Sequence, residues 1–275
     1  MRLITATRGG RRAFGPVVDG RLHDLTGQWP DLQSALAAGV AAIEAAAVGA
    51  PSIAADDVTL DLPIPAPAKI LCVGLNYQDH RAESAAPAGS HPTIFTRYAS
   101  SLVAPGQPLV RPAASDVFDY EGELAVVIGQ RCRAVDVGDA LHVVAGYSCF
   151  QDGSVRDYQR HSSQFIPGKN FDRSGSFGPS IITPDEFDAA TATLTTTLNG
   201  QKVQHAPISD MIYSVAELIA YCSIWTTLEP GDVIATGTPG GVGYARKPPL
   251  LLQPGDTVEV SITGVGTLTN PVIAE

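Results

Sequence analysis

Short apolar runs broken by turn residues make up most of this chain, and one run stands apart because it opens with acid. In Asp119-Tyr120-Glu121-Gly122-Glu123-Leu124-Ala125-Val126-Val127-Ile128-Gly129 an acidic head leads into apolar, partly β-branched residues, which predicts a buried strand. Side chains alternate along a strand, so Glu121 and Glu123 share a face at roughly 6.5 to 7 Å along the backbone. Two such carboxylates repel unless a proton or a cation lies between them. Hard oxygen ligands suit Mg²⁺ or Mn²⁺. An isolated Glu-x-Glu is also what a solvated strand end looks like, so the reading depends on the rest of the chain.

Before that strand, Met1 to Ala6 and Phe14 to Leu25 predict short strands around Gly9-Gly10 and Asp19-Gly20, the latter a hairpin signal. The alanine-rich stretch from Asp31 to Val48 predicts a helix that starts at Asp31. Pro63-Ile64-Pro65-Ala66-Pro67 stiffens the chain into an extended linker. A small N-terminal α/β domain over 1–67 and a larger domain over 68–275 are therefore expected.

Lys69 to Val73 predicts a buried strand, followed by a polar segment from Tyr77 to Ser84. If that segment is helical, His80 and Glu83 lie on one face and can bond, the carboxylate fixing the tautomer of a general base. A surface pair would look the same. Ala85 to Pro92, rich in small residues, predicts a loop that could serve as a lid. Strands are expected at Thr93 to Tyr98, Leu109 to Val110 and Gly146 to Phe150, and a short helix from Asp136 to Val144. Asp152, at the end of the last of these strands, is either a third carboxylate for the pair or a turn residue.

Lys169 falls in Pro167-Gly168-Lys169-Asn170-Phe171, which predicts a loop open to a ligand. Asn199-Gly200 predicts a hairpin, and Ser214-Val215-Ala216-Glu217 a capping box heading an amphipathic helix to Trp225. Strands at Val233 to Ala235 and Thr257 to Ile262 each follow a Pro-Gly-Asp turn. Between them lies Thr236-Gly237-Thr238-Pro239-Gly240-Gly241-Val242-Gly243, which matches neither a P-loop nor a dinucleotide fingerprint. Its amides could receive a carboxylate or an oxyanion, or the loop could be a plain turn. The closing section is thus mainly β.

At 275 residues the chain can bury a sizeable core, and 44% apolar with 17% charged residues is an ordinary globular composition. The formal net charge of −10 argues against a nucleic-acid surface. Cys72, Cys132, Cys149 and Cys222 show no metal-ligand spacing and suit a reducing compartment. Neither a leader-like segment nor a membrane-length apolar run is evident, so a cytoplasmic location without membrane contact is expected.

Five separated motifs, Gly74-Leu75-Asn76-Tyr77 with His80 and Glu83, Asp119 to Glu123, Asp152 with Arg156-Asp157, Gly168 to Phe171, and Thr236 to Gly243, closely resemble the fumarylacetoacetate hydrolase family. The resemblance runs from about Lys69 to the C-terminus. It implies an α+β, mainly β architecture: a mixed β-roll or β-sandwich catalytic domain behind the small N-terminal domain, as a homodimer. It implies one Mg²⁺ or Mn²⁺ held by Glu121, Glu123 and Asp152, and a 2-oxo or 2,4-dioxo acid as the small-molecule substrate. His80, Glu83 and Lys169 are its implied catalytic residues, and Tyr77, Arg97, Tyr120, Arg156, Gln159 and Thr238 its implied substrate contacts.

The activity expected first is hydrolysis of a carbon–carbon bond in a 2,4-dioxo acid by water that His80 activates. The amides around Thr238, or Lys169, would then stabilise charge on the substrate. Decarboxylation of an oxaloacetate-type acid, or isomerisation or tautomerisation in aromatic catabolism, uses the same metal set, and a silent binder is a further alternative. The sequence departs from the common family pattern at Gln151, where asparagine is usual, and at Arg97, where lysine is usual. Arginine there suits bidentate carboxylate binding, so a dicarboxylate or a differently placed acid on the substrate is a further expectation.

Overall fold

The computed structural model describes residues 1–84 and 89–275. The expected lid loop over Ala85–Pro92 therefore lies partly outside the described residues. The chain is mainly β, as expected, with two principal sheets and few helices.

The larger sheet has twelve strands. Its path runs Ser52–Ala54, Arg21–His23, Arg11–Val18, Arg2–Arg8, Gly175–Ile182, Val144–Gln151, Gly122–Ile128, Val233–Ala235, Ile70–Gly74 and Thr93–Thr96. The second sheet orders Gln201–Pro207, Thr193–Leu198, Thr257–Ile262, Gly266–Ala274 and Leu109–Arg111. Because Leu3 pairs with Ile181, the first sheet crosses the sequence linker at Pro67. The N-terminal hairpin and the later strands are hydrogen-bonded neighbours.

The acidic strand lies inside this sheet, antiparallel to Val144–Gln151 on one side and to Val233–Ala235 on the other. Both of its faces are buried, which is why its sequence reads as one apolar run rather than an alternation. Leu124, Val126 and Ile128 pack with Leu218 and Cys222 of the helix Val215–Trp225 and with Leu194 and Val260 of the second sheet. Ala125 and Val127 face a second core that contains Leu3, Phe14, Leu32 and Leu36. Glu121 and Glu123 belong by alternation to this second face. Between them, Gly122 has no room for a side chain, since a Cβ there would meet Thr196 Oγ1 at 2.1 Å. Glycine at this position lets the second sheet pack against the strand on the face opposite the carboxylate pair.

Several local expectations change in the fold. The helix expected over Asp31–Val48 is two, Leu32–Ala38 and Val40–Ala47, because Gly39 between them takes a φ of 92°. Asp31 does cap the first, its carboxylate accepting from Ser34 N at 2.7 Å. From Asp136 to Val144 only Ala140–Val143 winds, as a 3₁₀ turn. The capping box on the helix Val215–Trp225 is present as read. No helix among the described residues is long and apolar enough to cross a membrane.

Candidate active site

Strand pairing assembles the floor of the site. Gly122 stands opposite Gln151, so the chain leaving that strand brings Asp152 beside Glu121, and Asp152 N donates to Glu121 O at 2.9 Å. One carboxylate oxygen from each of Glu121, Glu123 and Asp152 lies within 4.8 Å of the others, and all three residues are buried. Of the two readings left open for Asp152, the third carboxylate is the one the fold realises.

Charges around this floor are unevenly shared. Lys169 Nζ lies 2.5 Å from both Glu121 Oε2 and Asp152 Oδ2. It ends the one-turn helix Ile166–Lys169 rather than sitting in an open loop. Arg156 Nη1 lies 2.6 Å from Glu121 Oε1, and the same guanidinium reaches Asp119 Oδ2 at 2.7 Å. Burial works to raise the Glu121 carboxyl, but Arg156 and Lys169 beside it win and hold it well below the ordinary range. Among the described residues Glu123 has no such cation, its one side-chain bond being from Gly237 N to Oε2 at 2.8 Å. Burial, then Asp152 and Glu121, push its carboxyl well above the usual value.

Four buried carboxylates, Asp119, Glu121, Glu123 and Asp152, thus meet three buried cations, Arg97, Arg156 and Lys169. The surplus negative charge and the all-oxygen donor set fit a hard divalent cation held by Glu121, Glu123 and Asp152.

Beside the floor, His80 Nδ1 bonds Glu83 Oε1 at 2.8 Å on the helix Gln78–Glu83, which leaves Nε2 free for acid–base work. Glu83 is itself tied to the glycine-rich loop, with Oε2 accepting from Gly241 N at 2.9 Å. Burial tends to raise its carboxyl, but the bonds from His80 and Gly241 outweigh it and keep it low. His80, Glu83, Lys169 and the three floor carboxylates line one cavity of about 540 Å³, together with Arg156, Gln159 and Thr238.

Three of the expected substrate contacts are placed elsewhere. The Arg97 side chain is fully buried and spends its donors on Asp152 Oδ1 at 2.6 Å, Gly153 O at 2.9 Å, Ser174 Oγ at 2.8 Å and Ser101 Oγ at 3.1 Å. It fixes Asp152 instead of meeting a ligand, so the carboxylate partner that arginine suggested is the protein's own. Tyr77 is buried away from the cavity, where it lines a separate cleft with Asp79 and Asp210. Tyr120 OH donates to Gly241 O at 3.2 Å and so supports the loop; burial pushes its phenol up to about 12.

The glycine-rich loop also differs from expectation. Its amides receive carboxylates, but these are the protein's own: Gly237 N holds Glu123, Gly241 N holds Glu83, and Gly243 N holds Asp119 at 2.8 Å. Thr238 Oγ1 donates to Gly122 O and accepts from Gln204 Nε2, at 2.9 and 2.8 Å. Sequence reasoning missed Gln204, whose Oε1 also accepts from Gly122 N at 3.0 Å. It missed Tyr244 as well, which lines the cavity mouth beside Arg160, Ser162, Ser163 and Phe165. A lone tyrosine just beyond a glycine loop carries no local signal of such a place.

A mainly β enzyme fold whose buried floor of three carboxylates lies beside a His–Glu pair narrows the class considerably. The fumarylacetoacetate (FAA) hydrolase C-terminal family model matches residues 69–273. Oxaloacetate tautomerase FAHD2A, mitochondrial, from Homo sapiens is 40% identical over 226 residues, which cover 81% of this chain and 72% of its own. The fumarylacetoacetate hydrolase of psychrophilic Exiguobacterium antarcticum superposes with a TM-score of 0.89 at 38% identity, covering 100% of both chains. A maleylpyruvate hydrolase from Sphingobium sp. SYK-6, solved with manganese(II) ion and pyruvate, does so with a TM-score of 0.82 at 33% identity, over 100% of this chain and 99% of that one. The chain belongs to the fumarylacetoacetate hydrolase family, and its architecture is that family's fold.

Proposed function

We propose that the protein is a divalent-cation-dependent keto–enol tautomerase of a 2-oxo dicarboxylic acid of the oxaloacetate type. The observation that carries this reading is the occupation of the glycine-rich loop. Hydrolysis of a 2,4-dioxo acid builds an oxyanion at C4 and needs preorganised donors there. In the loop around Thr238, where such donors were expected, the amides of Gly237, Gly241 and Gly243 are committed to Glu123, Glu83 and Asp119. Tautomerisation needs no attacking water and no such donors, only a base that moves one proton between C3 and the C2 oxygen.

His80 is that base. Glu83 engages Nδ1, so Nε2 takes the proton from one position and returns it to the other. When bound at Glu121, Glu123 and Asp152, a Mg²⁺ or Mn²⁺ ion would offset the charge of the substrate's carboxylate and keto oxygens and acidify the adjacent carbon. Lys169 and Arg97 keep Asp152 in place, and Arg156 does the same for Glu121. The relative named as an oxaloacetate tautomerase adds support.

Hydrolysis of a 2,4-dioxo acid is the second reading, favoured by the neighbour named as a maleylpyruvate hydrolase with pyruvate bound. Absorbance of enol-oxaloacetate, followed with Mg²⁺ and with excess chelator, tests the first reading. Enol loss faster than the spontaneous rate only with Mg²⁺ supports it. Chelator-insensitive or absent acceleration, with release of pyruvate from acetylpyruvate, supports hydrolysis instead.

A further inference from the structure

Three cationic side chains line the cavity, and they differ in what they already hold. Arg156 and Lys169 are buried and each bridges two carboxylates. Arg160 is exposed at the mouth, and among the described residues it has no carboxylate within ion-pair distance. Its guanidinium is nevertheless not loose. Nη1 donates to Tyr244 OH at 2.9 Å, and its central carbon lies 4.6 Å from the centroid of the same ring.

This platform is tied to the floor through a single acid. Tyr244 N donates to Asp119 Oδ2 at 3.0 Å, and that carboxylate also binds Arg156, which contacts Glu121. Arg160 directly follows the helical turn Arg156–Gln159, so both halves of the platform are anchored at Asp119. A guanidinium with unspent donors, held at a fixed offset from a cation-binding floor, is suited to a second anionic group on the same ligand.

We propose that Arg160, braced by Tyr244, receives the distal carboxylate of the substrate and makes the pocket selective for dicarboxylic 2-oxo acids over monoacids. The assignment rests on the reading of the cavity as a 2-oxo acid site. It names the residue that distinguishes a diacid, which the floor carboxylates cannot do because both substrate types present the same oxo-acid end to them.

The test is calorimetric titration of the Mg²⁺-loaded protein with 2-oxoglutarate and 2-oxovalerate, acids of equal chain length that differ in ending in a carboxylate or a methyl group. Wild type is expected to prefer the diacid by about tenfold, the scale of a charge-assisted bidentate contact in a half-exposed site. Arg160→Gln should erase that preference while 2-oxovalerate binding changes by less than about twofold, Arg160→Lys should restore part of it, and Tyr244→Phe should reduce it without abolishing it. Equal binding of the two acids by wild type, or a preference that survives Arg160→Gln, overturns the assignment and leaves the tautomerase reading standing. Loss of the preference in a protein that does not accelerate oxaloacetate enol loss upholds Arg160 and sinks the tautomerase. Binding of neither acid overturns both.

Discussion

The floor and the mouth of the cavity are built on opposite principles. At the floor, Glu121, Glu123 and Asp152 are buried at strand ends, and the guanidiniums beside them, Arg97 and Arg156, are themselves held by further bonds. At the mouth, Arg160, Ser162 and Ser163 are exposed on the connection between the strands Val144–Gln151 and Gly175–Ile182. On the proposed reading, a floor of this kind fixes where an oxo acid can bind and which proton can move, and its side chains cannot be exchanged singly. The mouth can change with little cost to the fold, so substrate choice belongs there.

The sharpest way to break this contrast is to remove one floor charge. Asp152→Asn strips the carboxylate from buried Arg97, which has no other ion pair among the described residues, and removes one of the two that Lys169 bridges. We expect a loss of about 3–5 kcal/mol in unfolding free energy, read by denaturant titration. Next in size is His80→Ala, which should leave the fold intact by circular dichroism and lower the rate by a factor on the order of 10² or more, while oxalate binding with Mg²⁺ persists.

A smaller effect should follow from Glu83. Its carboxyl is held below its ordinary 4.5 in the folded chain, so its contribution to stability is fully present above that value and fades as pH falls through the lower, folded-state pKa. Between about pH 5 and pH 3 wild type should therefore lose more stability than Glu83→Gln, measured by melting at each pH. The smallest effect belongs to the mouth, where Ser162→Ala should change unfolding free energy by no more than about 0.5 kcal/mol. A larger loss there would mean that the mouth is part of the scaffold.

The same division explains what the sequence could tell. Glu121 and Glu123 are legible because strand alternation alone puts them on one face, and His80 with Glu83 because helical spacing alone lets them meet. Asp152 needed the added knowledge that its strand ends beside theirs. Arg97 was misread because its partner is 55 residues away in sequence, and local pattern shows a donor without showing what accepts from it. For the same reason the loop amides looked free, although Glu83 and Glu123 reach them across 158 and 114 residues. Gly39 was hidden inside an alanine-rich run whose helix propensity is high on either side.

The central claim is that His80 moves a proton at C3 of a cation-held 2-oxo diacid. Deuterium incorporation at C3 of oxaloacetate in D₂O with Mg²⁺, followed by proton NMR against the spontaneous rate, tests it most directly. The account predicts exchange well above background for wild type, falling to background for His80→Ala. Exchange that stays at background for wild type, or is undiminished in His80→Ala, would contradict it.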